Sequence, residues 1–221
     1  MKTLKESILS DMDDVISSGD EVIKDNIKQW LKENLIEGAS KCEISKKPNK
    51  DGLYEVSTSG NIKFKTSIST LTNNSFIWTK VINNFYCWNC PKLTSLKGAP
   101  NSVGGSFICD MCDKLTSLEG APEIVGGSFI CSDCPNLTSL EGAPEIVGKY
   151  FSCNKCPKLT SLKGAPKEVG YDFNCDMCVN LVSLEGAPEI VGKYFICKDC
   201  GKQFTEQEVR KLCKVQGIIY V

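Results

Sequence analysis

The apolar positions of this chain change period along its length, and each change marks a new kind of element. Over residues 1–37 they follow the period of a helix. Leu4, Ile8, Met12 and Val15 recur at spacings of three and four. Ser17-Ser18-Gly19-Asp20 then interrupts with turn and N-cap chemistry. Val22, Ile23, Ile27, Trp30 and Leu31 resume an apolar face opposite Lys24, Asp25, Lys28 and Glu33. Two helices are predicted in segment 1–38, with Gly38 as the C-cap. Their apolar stripe either docks on the end of the downstream fold or binds a partner. Segment 39–84 begins with a polar linker around Lys46-Lys47-Pro48-Asn49-Lys50-Asp51-Gly52. Residues 53–56 and 61–65 then alternate around Ser57-Thr58-Ser59-Gly60, which predicts a hairpin. Leu71, Phe76, Trp78, Val81 and Phe85 form a degenerate coil leading into the next region.

Over residues 85–200 the pattern repeats. Cys87/Cys90, Cys109/Cys112, Cys131/Cys134, Cys153/Cys156, Cys175/Cys178 and Cys197/Cys200 are Cys-x-x-Cys pairs, each 22 residues after the last. A fixed period of this length signals a solenoid, whose coils bury their apolar faces only against their neighbours. Phe129 and Cys131 lie two apart and so share one side of a strand. Leu137, Leu140, Ala143 and Val147 line the rest of that coil. Glycines such as Gly142 and Gly148 permit the bends, and Pro144 fixes a corner. Six rungs at the roughly 4.8 Å strand spacing span on the order of 30 Å, with Phe stacked on Phe and Cys on Cys. Residues 201–221 close the array. Thr205-Glu206-Gln207-Glu208 is a capping box, Val209, Leu212 and Cys213 give a helix its apolar side, Gly217 ends that helix, and residues 218–221 form a closing strand. The predicted class is a β-rich solenoid with N-terminal helices and a C-terminal helix-strand cap.

Inward Phe and Cys positions set the outward ones. Three rows result: one through Ser106, Ser128, Tyr150, Asp172 and Tyr194; one through Tyr86, Ile108, Ile130 and Ser152; one through Trp88, Asp110, Ser132 and Asn154. Tyr86, Trp88, Ile108 and Ile130 make a contiguous apolar patch of the kind that marks a protein-binding surface. Asp110, Ser132, Tyr150 and Tyr194 extend the candidate contact set. β-propensity alone would also place Ile and Tyr on strands.

The unit Phe-x-Cys-x-x-Cys-x-x-Leu-x-x-Leu resembles the leucine-rich-repeat consensus, with Cys134 in its Asn/Cys position. The Leu-Thr-Ser-Leu-x-Gly-Ala-Pro-x-x-Val-Gly run resembles a cysteine-bearing bacterial and bacteriophage subgroup of that family. Asp113 and Val179 depart from the prolines at Pro91, Pro135 and Pro157, and Val182 replaces a threonine. The resemblance implies a binding scaffold with no shared reaction. For a phage or bacterial member it implies a host or virion protein as partner, engaged as an inhibitor or recruiter.

Composition narrows the chemistry. The 221 residues carry a net charge of −1 with no basic patch, so nucleic acid is not an expected partner. No run is long and apolar enough to span a membrane. The opening residues lack the apolar core of an export signal, so a cytoplasmic location, in the producing or host cell, is expected, with reduced thiols. Histidine is absent, which removes His-based catalysis and ligation. Repeated Cys-x-x-Cys is also a zinc-knuckle spacing. Four thiolates would need sulfurs about 3.8 Å apart, pinching neighbouring rungs. Buried cysteines acting as small apolar groups are the simpler expectation, and a redox centre would need one thiol set apart from five equivalents. The repeated Lys97, Glu119, Glu141, Lys163 and Glu185 read as a solvated edge. No phosphate loop or nucleophile elbow is present. The expectation is a non-catalytic protein-binding scaffold without cofactor, with a zinc-stabilised module as the alternative and an enzyme behind both.

Overall fold

The computed structural model describes the backbone of residues 4–221 and the side chains of residues 19–221. One helix, α1 (Leu4–Asn34), leads into β1 (Leu35–Glu37), a 3-10 turn (Ala39–Lys41) and β2 (Cys42–Ile44). Strands then come two to a coil: β3 (Tyr54–Thr58) and β4 (Ile62–Phe64), β5 (Phe76–Val81) and β6 (Phe85–Tyr86), β7 (Ser102–Val103) and β8 (Phe107–Ile108). The regular coils continue with β9 (Ile124–Val125) and β10 (Phe129–Ile130), β11 (Ile146–Val147) and β12 (Phe151–Ser152), β13 (Glu168–Val169) and β14 (Phe173–Asn174), β15 (Ile190–Val191) and β16 (Phe195–Ile196). The last coil carries α2 (Glu206–Leu212) before β17 (Lys214–Val215) and β18 (Ile219–Tyr220).

The second strand of each coil stacks into a first sheet and the first strand into a second sheet, each nine-stranded among the described residues. Register is strict. Phe129 pairs with Phe107 and Phe151, and Val147 with Val125 and Val169, all in parallel. β1 and β2 instead run antiparallel to β4 and β3. They leave eight parallel rungs behind them, so the chain is a β-solenoid. The first Phe, both Cys, both Leu and the Val of each unit form one continuous core. In that core Phe85, Phe107, Phe129, Phe151 and Phe173 stack at 5.1 to 5.6 Å with planes within 8° of parallel.

Close stacking explains the glycines. Gly142 has φ +87°, and a Cβ there would lie 2.6 Å from backbone atoms of Glu119. A Cβ on Gly148 would overlap the carbonyl oxygen of Gly126 in the rung below. On the charged edge, side chains one repeat apart pair across rungs: Lys97 with Glu119 at 3.0 Å and Lys163 with Glu185 at 3.1 Å. Both pairs are exposed and contribute little to stability.

Several expectations need correction. α1 runs unbroken through Ser17-Ser18-Gly19-Asp20, and it ends at Asn34 rather than at Gly38. The Leu4, Ile8, Met12 and Val15 side chains lie outside the described residues. Gly38, at φ 102°, instead precedes the 3-10 turn. The hairpin does not form: β3 and β4 sit in different sheets and make the first coil. Their alternation is that of the two strands of one rung joined by a corner, and Gly60 is part of that corner. Gly217 does not end α2, which stops at Leu212 with Cys213 as its C-cap. It lies at the corner between β17 and β18, against the Lys193 carbonyl. The eighth rung is thus built by residues after the helix, and the array has two more rungs than the cysteine pairs count.

Candidate functional site

The Cys-x-x-Cys bend is the most repeated feature of the molecule. Between the cysteines the backbone turns through a left-handed residue, at Asn89, Met111, Asp133, Lys155, Met177 and Asp199, with φ from 50 to 56°. Its N–H donates to the next rung, as Met111 does to the Ser132 carbonyl at 3.0 Å. The second thiol of each pair points back along the array. Cys112 donates to the Cys87 carbonyl at 3.3 Å, Cys134 to Cys109 at 3.5 Å, Cys156 to Cys131 at 3.4 Å and Cys178 to Cys153 at 3.2 Å. These bonds join successive rungs at the bend and satisfy carbonyls that the tight turn leaves without strand partners. All fourteen cysteines are free. Burial pushes the thiols of Cys87, Cys109 and Cys131 far up and that of Cys134 up to about 12. The thiol of Cys178 is instead held down by its neighbour Cys153. A zinc ion takes thiolates, whereas the second thiol of each of these pairs is directed at a backbone carbonyl. Among the described residues no three His, Cys, Asp or Glu side chains converge as a metal's ligands would.

The outer face of the first sheet carries the other candidate residues. Tyr86, Ile108 and Ile130 occupy one position of consecutive rungs. All three are half-buried, as is Trp88 at the neighbouring position. The Lys63 ammonium sits 5.6 Å from the Trp88 ring centroid. Asp110 lies one rung beyond Trp88. Its Oδ1 is buried without a hydrogen-bond partner, and desolvation pushes its carboxyl up. Ser132, expected on the surface, is only 6% exposed, and its hydroxyl bonds that of Ser152 at 2.9 Å. Ser128 is likewise buried. A small side chain in mid-array is covered by its neighbours on the rungs to either side.

Tyr150 and Tyr194 lie away from Trp88, at the corner where the second sheet turns into the first. Tyr150 is 43% exposed and its ring stands 5.7 Å from that of Tyr171, itself 46% exposed. Tyr194 meets Tyr220 edge-on at 5.6 Å. Lys193 lies 4.7 Å from the Tyr194 ring, and Lys198 5.0 Å from that of Tyr220. The candidate set therefore divides in two. An aliphatic-aromatic column runs from Tyr86 to Ile130 with Trp88 beside it, and a tyrosine-lysine corner runs from Tyr150 to Tyr194, where Tyr220 of β18 packs against it. Tyr171 and Tyr220 were not predicted. Tyr171 was legible as an aromatic where the other units carry Gly127, Lys149 or Lys193. Tyr220 was hidden because α2 lengthens the last unit beyond the period.

Among the described residues no helix is long and apolar enough to cross a membrane. No protein-family model matches the chain, and neither does any curated protein or solved structure.

Proposed function

We propose that this protein is a non-catalytic scaffold that binds another protein through the outer face of its first sheet. One observation supports it above the rest. Large apolar side chains recur at outward positions of consecutive rungs, from Tyr86 through Ile108 to Ile130, with Trp88 beside them. Outward strand positions have no packing demand of their own, and surface patches of this composition favour association. Ile196 and Tyr220 occupy the same position on the last two rungs. The resemblance of the repeat to cysteine-bearing leucine-rich repeats adds a finer version. In it the chain is a bacterial or phage member of that family, acting in the cytoplasm on a host or virion protein, as inhibitor or recruiter.

The test is a titration. The partner is first captured from the native host and purified. Trp88→Ala then weakens binding at least roughly thirtyfold, since truncating a central aromatic typically removes about 2 kcal/mol. Thermal unfolding shifts little, because Trp88 lies outside the core. Glu141→Ala, on the charged edge, changes neither. Unaltered affinity in a folded Trp88→Ala protein overturns this face as the site.

A further inference from the structure

The N-terminal end carries a groove that the repeat face does not explain. It lies between one stripe of α1 and residues 36–46, with a volume of about 670 Å³. Lys24, Lys28, Lys32 and Lys46 line it, and Glu21 is the one acid among its lining residues. Glu21 is held by Lys24 at 3.2 Å, and Lys28 pairs with Asp25 at 2.9 Å. Lys32 and Lys46 have no ion-pair partner among the described residues, so the rim is positive. Lys24 is fixed above the buried ring of Tyr54, 5.7 Å from its centroid. The groove is apolar between the lysines, where Leu31, Ile36 and Ile44 line it.

A second feature coincides with it. β2 is the last strand of the second sheet, paired with β3 alone. Its other edge has no strand partner, although the Cys42 N–H is taken by the Ala39 carbonyl, so it offers a short template for a further strand. Cys42 and Ile44 are alternate residues of β2, so they share one face, and both line the groove together with Lys46 just past the strand. A strand added beside β2 sets its own alternate side chains on that face, over the apolar surface and among the lysines.

We propose that this groove docks an extended acidic peptide by strand addition to β2, with carboxylates against Lys28, Lys32 and Lys46. Sheet edge, apolar floor and positive rim together specify that occupant. An apolar helix would leave the rim unpaired, and nucleic acid would gain nothing from the strand edge. The site is separate from the face that binds the proposed protein partner, and it stands or falls independently.

The probe is a fluorescent peptide of alternating Glu and Val, about eight residues long, the length of an ordinary strand. Fluorescence anisotropy should show saturable binding that weakens as salt screens the rim. The Lys32→Glu/Lys46→Glu double variant should lose roughly tenfold or more, as reversal of two surface charges implies. Methylating alternate backbone nitrogens of the peptide should cost as much, because it removes ladder bonds and leaves charge unchanged. Trp88→Ala should bind the peptide like the wild type. No saturable binding, or equal binding of the methylated peptide, overturns the proposal. So does self-association of the unliganded protein in sedimentation that the lysine reversals abolish, since a second copy then fills the groove.

Discussion

Aromatic rings pack differently in the repeat array and at its N-terminal end. Along the array Phe107 and Phe129 lie 5.3 Å apart with planes 5° from parallel. At the end Trp30 meets Phe76 at 5.3 Å and 65°, Phe76 meets Trp78 at 5.6 Å and 83°, and Trp78 meets Phe85 at 6.0 Å and 87°. Rings free to choose favour edge-to-face or offset contacts. In the array each ring is the image of its neighbour displaced by one rung, so orientation is inherited from the backbone ladder. At the end α1 and the strands β1 and β2, each antiparallel to the first coil, break that translation, and side-chain packing sets the geometry. Order in the array is thus local and propagated, whereas order at the end is built once from unlike parts.

The sharpest way to break this contrast is to remove one ring from each region. Phe129→Ala should destabilise by about 3–5 kcal/mol. Because coils interact only with neighbours, urea unfolding should split into two transitions, one for each side of the gap. Trp30→Ala should lose less, about 2 kcal/mol for a half-buried ring, and retain a single transition. One transition in both variants would show that the array is as globally coupled as the end.

A smaller effect should come from the thiol ladder. Cys134→Ala removes a buried group and its bond to the Cys109 carbonyl, and should lower stability by about 1–2 kcal/mol. A strong chelator should leave the thermal midpoint of the wild type unchanged. Stoichiometric zinc in purified protein, with unfolding on chelation, would replace the hydrogen-bonded ladder with a metal site.

At the C-terminal end the unlike part is α2. Thr205 accepts from the Glu208 N–H at 3.2 Å, and Glu208 Oε2 accepts from the Thr205 N–H at 2.8 Å. Thr205→Ala should cost about 1 kcal/mol, read from thermal unfolding. Lys202, with Thr205 adding to it, holds the Glu208 carboxyl down from its ordinary 4.5 to about 2. A depressed carboxylate stabilises the folded state above its ordinary pKa, and that contribution is lost as pH falls from 4.5 toward 2. Glu208→Gln should remove that portion of the acid sensitivity. The smallest change expected is a gain. Met177 holds φ 55° in the bend, so Met177→Gly should raise stability by about 0.5–1 kcal/mol in urea unfolding.

The array was legible in the sequence because its period forces equivalent residues into equivalent places. Phe129, Cys131, Cys134, Leu137 and Leu140 are all buried as their spacing predicts. The second sheet was not legible. In its two-residue strands only Val125 or Val147 faces inward, while the outward partner varies among Ser102, Ile124 and Glu168. Two positions are too few to show alternation. The left-handed bend residues escaped for a related reason: Asn89 and Asp199 suit that conformation, but Met111, Lys155 and Met177 do not announce it. Of the candidate face, the column from Tyr86 to Ile130 followed from strand phase alone. Tyr150 and Tyr194 followed from the same phase, whereas Tyr220 and the lysine groove depend on how distant segments meet, which no local pattern encodes.

Strict register also makes the molecule a ruler. Residues 22 apart take the same place in successive coils, so an in-frame duplication of one unit inserts a coil without disturbing either end. Each insertion moves the two ends apart by about 4.8 Å and adds one position to every surface row. Length therefore changes in equal steps, and a gene carrying this repeat can alter reach between two attachment points by recombination alone, without inventing a new interface.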